Sequence, residues 1–320
     1  MSVLPYSLIV GQRELDTALR VAYVNRAVGG VLAVGPRGTA KTTMVRAFTD
    51  MVTDTLPVEL PLGATEDRVI GGWQIDQLMK GKTEEKDGLL VEASNSPSGL
   101  LYVDEVNLLD DHLVNIMLDA VATGHVEIQR EARSERVAVK FTLVGTMNPD
   151  EGGLRPQLLD RFGLVAGVRS TASGEATPDA GMDERVEVLR NVLRYEAELD
   201  DPHSAFVNDA RARNALVKRS LDAARDLLAE VRLDDDILEM CAQLAQVFNA
   251  EGHRGALVLA RAARAVAAIE AEPQVVPGHV RDIAKLALAH RRGLAETGSM
   301  PDWTEEDEKK IDAVLPPPED

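Results

Sequence analysis

Cysteine is nearly absent. Cys241 stands alone in 320 residues, so no internal disulfide framework and no cysteine-held zinc cluster can form, and a reducing compartment is expected. Aromatic residues make up only 3% of the chain, too few to offer a run of stacking platforms for bases. Positive charge is also short: 35 Lys and Arg face 53 Asp and Glu, leaving a net charge of -18. Phosphate-backbone binding is driven by cationic side chains, so nucleic acid is not the expected ligand. No apolar run approaches the roughly 18 residues of a membrane span, and Met1 to Val10 lacks the charged and apolar regions of a secretory signal. A soluble, cytoplasmic protein is the expectation. What is present is an ordinary globular mixture, 45% apolar and 28% charged, able to bury a sizeable core. At roughly 150 residues per domain, two domains are expected.

The first 170 residues alternate short apolar runs with helical patterns, as an α/β domain with a parallel sheet should. Val31 to Val34, Leu100 to Val103 and Phe141 to Val144 read as buried strands, each ending at polar residues, and 42–51 reads as a helix. Ligands bind at the carboxyl ends of such strands. Residues 61–99, rich in Gly, Lys, Glu and Asp, look like an insertion with flexible tips. Residues 125–144 have a hairpin pattern whose second arm can run on into the third strand. The small, polar stretch STASGEATPDAGMD at 170–183 marks a linker. Beyond it, 185–199, 205–231, 236–250, 256–270 and 279–294 carry helical apolar spacing, and the acidic, Pro-rich 301–320 reads as a frayed tail.

Gly35-Pro36-Arg37-Gly38-Thr39-Ala40-Lys41-Thr42, followed by Thr43, lies between a strand and a helix. It matches the phosphate-loop pattern G-x-x-x-x-G-K-[ST] except for Ala40 at the second glycine. Inward-turned amides at a helix N-terminus favour phosphate, Lys41 adds a point charge, and Thr42 offers a hydroxyl to Mg²⁺. The methyl of Ala40 is tolerable if its φ stays negative. The second strand ends in Asp104-Glu105, where Asp104 would hold Mg²⁺ through water and Glu105 would polarise the attacking water. Asn148, just past the third strand, either positions that water or forms a turn before Pro149. Strand order decides between the two.

These segments resemble the AAA+ ATPases, and within them the I (motor) subunits of magnesium chelatase. The resemblance rests on Ile9-Val10-Gly11-Gln12, the Gly38-Thr39-Ala40-Lys41 loop, and Leu62 to Arg68 (LGATEDR). It also rests on Leu101 to Leu113 (LYVDEVNLLDDHL), Gly145 to Pro149 (GTMNP) and Leu154 to Gly163 (LRPQLLDRFG). It implies an AAA+ P-loop α/β domain over 1–170, a linker at 171–183, an all-α lid over 184–300 and an acidic tail at 301–320. It further implies ATP and Mg²⁺ as cofactors, Asn148 as sensor 1, and Arg161 as an arginine finger that reaches a neighbour's nucleotide. Arg155 and Asp160 would share that subunit seam. Arg254, in Gly252-His253-Arg254-Gly255, is the favoured sensor 2 at a helix start, contacting the γ-phosphate; Arg261 and Arg264 are its rivals. The adenine would pack near Tyr6, Ile9, Val10 and Gly11, with Val10-Gly11-Gln12 the better choice.

The function so implied is ATP hydrolysis in a homo-oligomeric ring, expected to be a hexamer. It would drive Mg²⁺ insertion into protoporphyrin IX, for bacteriochlorophyll or chlorophyll biosynthesis, with an adhesion-domain adaptor and a porphyrin-binding catalytic subunit. A MoxR-type or cobalt-chelatase-like motor is the alternative. A DNA-associated ATPase is disfavoured by the charge. The six histidines form no His-x-x-x-His pair, so the only metal expected is nucleotide-bound Mg²⁺.

Overall fold

A computed structural model describes residues 3–73, 85–130, 133–168, 178–292 and 302–316. In chain order the first part forms α1 (Arg13–Val24), β1 (Val31–Val34), α2 (Lys41–Thr53), β2 (Val58–Leu60), α3 (Glu66–Ile70), β3 (Gly71–Trp73) and β4 (Glu85–Asp87). There follow α4 (Leu89–Asn95), β5 (Leu100–Val103), α5 (Asp111–Thr123), β6 (His125–Arg130), β7 (Arg133–Ala138), β8 (Thr142–Met147), α6 (Pro156–Leu159) and β9 (Leu164–Gly167). The helical part comprises α7 (Pro178–Glu198), α8 (Ala205–Leu227), α9 (Asp235–Val247), α10 (Arg254–Ile269), α11 (Pro277–Leu288) and α12 (Glu305–Val314).

Five strands pair in parallel in the order β2-β5-β8-β1-β9. Successive side chains alternate between two cores: Leu32, Leu101, Leu143 and Val165 enter one, while Val31, Ala33, Tyr102, Val144 and Leu164 enter the other. Both faces are therefore apolar, which is why these strands read as continuous hydrophobic runs. The second face is covered by α1, α2 and the helical part, the first by residues of α3 to α6. The edge strands β2 and β9 are short and lie outside the three strands expected from the sequence.

Four expectations change. Residues 61–99 are not simply an insertion: Leu89, Leu90 and Ala93 of α4 are buried in the core on the way from β2 to β5. The flexible tip expected there falls largely on 74–84, outside the described residues. The hairpin's second arm does not run on into the third strand. Instead, β6 and β7 form a separate two-stranded sheet, and the Lys140 amide donates to Ser94 Oγ (2.9 Å) before β8 joins the main sheet. In the expected linker, 171–177 lie outside the described residues, but α7 already begins at Pro178, a favoured first helical residue. The tail is not frayed where described. In α12 Thr304 and Asp307 form a capping box, Ile311 and Leu315 are buried, and Trp303 stacks on Phe248 with centroids 5.2 Å apart.

The helical part shares one continuous core with the sheet rather than forming a detached body. Polar ties reinforce the junction. Lys285 pairs with Glu14 at 2.6 Å, the Tyr23 hydroxyl donates to Asp222 (2.6 Å), and Lys218 donates to the Val52 carbonyl (2.6 Å). Because Ile311 is 1% exposed, Ile311→Ala should cost about 2–5 kcal/mol in urea unfolding. A loss below about 0.5 kcal/mol would show that α12 is not part of the cooperative fold.

Candidate functional site: a phosphate cavity and an arginine-lined hollow

Strand order puts β8 between β1 and β5, so the loops leaving their carboxyl ends converge. They enclose a cavity of about 270 Å³ lined by Arg37 to Thr43, Asp104, Glu105, Thr146, Met147 and Asn148. Lys41 opens α2, and its ammonium donates to the carbonyls of Gly35 (2.6 Å) and Pro36 (2.7 Å). Burial pulls the Lys41 pKa below its ordinary value, against the opposing pull of Asp104, Glu105 and Glu151.

Ala40 does not keep a negative φ. It sits at φ 58°, ψ 21°, left-handed backbone that disfavours any residue with a Cβ by roughly 1–2 kcal/mol. Glu105, on the facing loop, is also left-handed at φ 50°. Two strained residues thus bracket the cavity, as strain often does at functional sites.

A hydrogen-bonded chain joins the two loops. The Thr42 and Tyr102 hydroxyls are 2.8 Å apart, and Tyr102 donates to Asp104 Oδ1 at 2.9 Å. Thr146 Oγ1 donates to the same oxygen at 2.6 Å and accepts from the Glu105 amide at 3.0 Å. Burial raises the Tyr102 pKa, keeping it a neutral donor. Asp104 Oδ2 has no protein partner among the described residues. A hydroxyl and a carboxylate held in one network form the hard-oxygen donor set that suits Mg²⁺. The cavity residues fit a magnesium–nucleotide complex. Arg37 holds Glu105 at 3.1 Å and Glu151 at 2.5 Å. Asn148 lines the cavity, and its Oδ1 accepts from the Asp150 amide at 3.3 Å, the turn expected before Pro149.

Tyr6 belongs to the core, edge-on to Phe48 at 5.6 Å. Ile9, Val10 and Gly11 instead line an open hollow of about 570 Å³ with residues of α7 and α8. Gln12 ties this segment to the phosphate loop by donating to the Thr39 carbonyl at 2.8 Å.

Arg161 and Arg254 lie elsewhere. They line a second hollow of about 540 Å³ with Arg26, Lys140 and Arg261, beside the residues that precede β1 and β8. That is the amino end of the sheet, opposite the phosphate cavity. Arg161 is at the surface and pairs with Asp119 at 2.7 Å. Arg254 does begin a helix, but it pairs with Asp160 at 2.9 Å and does not line its own chain's phosphate cavity. Arg261 donates to the Ala27 carbonyl and Arg264 to those of Val231 and Ala229, so both brace the fold. Arg155 is exposed and pairs with Asp111 at 2.6 Å.

The sequence matches an AAA domain (dynein-related subfamily) over residues 30–162 and an AAA lid domain over 238–314. It is 38% identical to the magnesium-chelatase 38 kDa subunit of Cereibacter sphaeroides over 92% of this chain and 95% of that one. The chain belongs to the AAA+ ATPases of the magnesium-chelatase subunit family. It is also 43% identical, over 91% of its length, to the uncharacterized protein Rv2850c of Mycobacterium tuberculosis, of which it spans only 45%. The crystal structure of a putative ATPase from Cytophaga hutchinsonii superposes with a TM-score of 0.60 at 19% identity, covering 89% of this chain and 83% of that one; this shows the fold alone. The lid match extends through α12, in keeping with its packing.

Sequence reading of this AAA+ chain missed Tyr102 and Thr146. Their signal was faint: a hydroxyl in an apolar strand two residues from a carboxylate or asparagine. No helix among the described residues is long and apolar enough to cross a membrane. Among them, no three His, Cys, Asp or Glu are grouped to hold a metal. Because the left-handed backbone at Ala40 suits glycine, Ala40→Gly should stabilise the fold by about 1 kcal/mol in urea titration, and Ala40→Val should destabilise it. A destabilising Ala40→Gly would contradict this backbone geometry.

Proposed function

We propose that this chain is the ATP-hydrolysing motor subunit of a magnesium chelatase, acting in the cytoplasm as a homo-oligomeric ring, expected to be a hexamer. Its hydrolysis would drive Mg²⁺ insertion into protoporphyrin IX on a separate porphyrin-binding subunit, through an adhesion-domain adaptor. The observation that carries the ATPase reading is the meeting of Lys41, Thr42, Asp104, Glu105 and Asn148 in one cavity. Lys41 and the loop amides would grip the phosphates, and Thr42 and Asp104 would hold the cation. Bound magnesium–ATP supplies the reactive phosphoryl group. Glu105, released from Arg37, accepts the proton of the attacking water, and Asn148 orients that water.

The ring reading rests on the separation of the two hollows. β1 spans four residues, about 13 Å at ~3.3 Å per residue, and Arg161 lies at its far end. Within one chain the arginine cannot serve its own cavity. A head-to-tail contact resolves this, and charge favours it. The phosphate cavity is lined by the carboxylates Asp104 and Glu105, with Glu151 held beside it by Arg37, while five cationic side chains line the other hollow, two of them paired with Asp119 and Asp160. Heterologous contacts of this kind build rings where the rotation between neighbours closes. Arg161 then stabilises charge on a neighbour's transferred phosphoryl group.

The chelatase part rests on the relatives' names, and one relative favours a second reading. The M. tuberculosis protein carries no chelatase name and extends well beyond this chain, which fits a MoxR-type or cobalt-chelatase-like motor with another client.

The ATPase rate per chain should rise with protein concentration. Lys41→Ala should lose nucleotide affinity. Glu105→Gln should bind ATP yet hydrolyse it about 10²–10⁴-fold more slowly. Arg161→Ala should be comparably slow but recover part of its activity when mixed with Glu105→Gln, whose intact arginine serves the neighbouring site. A fully active Arg161→Ala would refute the shared site. Reconstitution with porphyrin-binding and adaptor subunits should yield Mg-porphyrin only with ATP; ATPase activity without that product would favour the second reading.

A further inference from the structure

We propose that Arg291 is a positioning residue for the arginine finger: from the lid, it grips the backbone on both sides of Arg161 and sets where that side chain is presented. The inference rests on the ring reading above.

The Arg291 side chain is 0% exposed, and burial pushes its pKa down to about 10. Its fork reaches three carbonyls that flank residue 161: Asp160 at 3.1 Å, Phe162 at 2.7 Å and Gly163 at 3.2 Å. It also donates to the Ala287 carbonyl in its own helix, and its Nε lies 3.2 Å from Asp160 Oδ1. His290 lies beside it, with Nε2 3.2 Å from the Phe162 carbonyl. Burial and the adjacent Arg291 charge hold that imidazole well below its ordinary pKa, so it is neutral and donates its one ring proton there. Arg254 completes the grip through Asp160 Oδ2 at 2.9 Å.

Local packing makes room for this arrangement. A Cβ at Gly163 would lie 2.2 Å from the Val28 carbonyl oxygen, so only glycine lets the loop close onto the chain before β1. A Cβ at Gly255 would lie 2.9 Å from the Ala250 Cβ, so this glycine lets α10 start close against the preceding turn, with the Arg291 stem packed alongside at 3.4 Å. A buried charge is costly unless paired and hydrogen-bonded; here the carbonyls serve both terminal nitrogens, while Nε makes no hydrogen bond among the described residues and faces only the Asp160 carboxylate. Lysine cannot replace the planar fork that spans three carbonyls.

The test uses the full chain. In Arg291→Met, ATP binding at the intact phosphate cavity should persist, with KM changed less than about twofold. kcat should fall about 100-fold, the scale of loss tied to roughly 1 Å of misplacement at a reacting centre. Mixing this variant with Glu105→Gln protomers should restore activity above the sum of the two separate preparations, because an Arg291→Met cavity, with Glu105 intact, can then face the well-placed finger of a Glu105→Gln neighbour. Arg291→Lys, which keeps a cation beside Asp160, provides the same readouts should the methionine variant not fold, and is expected to lose kcat and be rescued likewise. Rescue of neither variant, or a loss confined to KM, overturns the positioning role. The Arg161→Ala and Glu105→Gln mixture run alongside separates the two claims: if that pair is also not rescued, the shared-site reading has failed.

Discussion

A five-stranded parallel sheet with apolar side chains on both faces leaves polar groups only its two ends. Helices cover both faces, and the alternation of Leu32 with Val31 and Ala33, or of Leu101 with Tyr102, sends neighbouring side chains into opposite cores. All five strands run the same way, so one end collects the loops after β1, β5 and β8 and the other collects the segments before them. The phosphate cavity occupies the first end and the arginine-lined hollow the second. Their separation is a property of the sheet, and the intersubunit reading of Arg161 follows from it.

At the carboxyl end, strain and hydrogen bonding act together. Ala40 and Glu105 hold left-handed backbone on facing loops, at a cost of order 1–3 kcal/mol each. The hydroxyl chain from Thr42 through Tyr102 to Asp104 and Thr146 spans the same loops and fixes their spacing. A site built this way has its polar groups set before any phosphate arrives, which lowers the reorganisation needed on binding.

At the amino end the helical part does more than cover a face. It shares a core with the sheet and inserts Arg291 beneath the loop of Asp160 to Gly163. In a chain of net charge -18 these guanidinium groups are gathered locally, with Asp119 and Asp160 paired among them. On the shared-site proposal, the lid and the loop that presents Arg161 are tied together through this one side chain.

The phosphate loop, the Asp104-Glu105 pair and the helical character of the second half were legible in the amino-acid order, because each depends on local patterns: a Gly-rich turn, an apolar run ending in acids, apolar spacing of three and four. Short edge strands such as Val58 to Leu60 escaped notice, since three residues carry little periodicity. The acidic composition of 301–320 suggested fraying and concealed Ile311 and Leu315, whose burial depends on surfaces far away in the chain. The same limit governed the arginines. Sequence named Arg161 and Arg254 but passed over Arg291, one basic residue among 35 Lys and Arg. Which arginine faces solvent, which meets Asp160 and which is sealed under a loop more than 120 residues away was decided by tertiary packing alone, because burial and pairing are relations between segments and no local pattern encodes them.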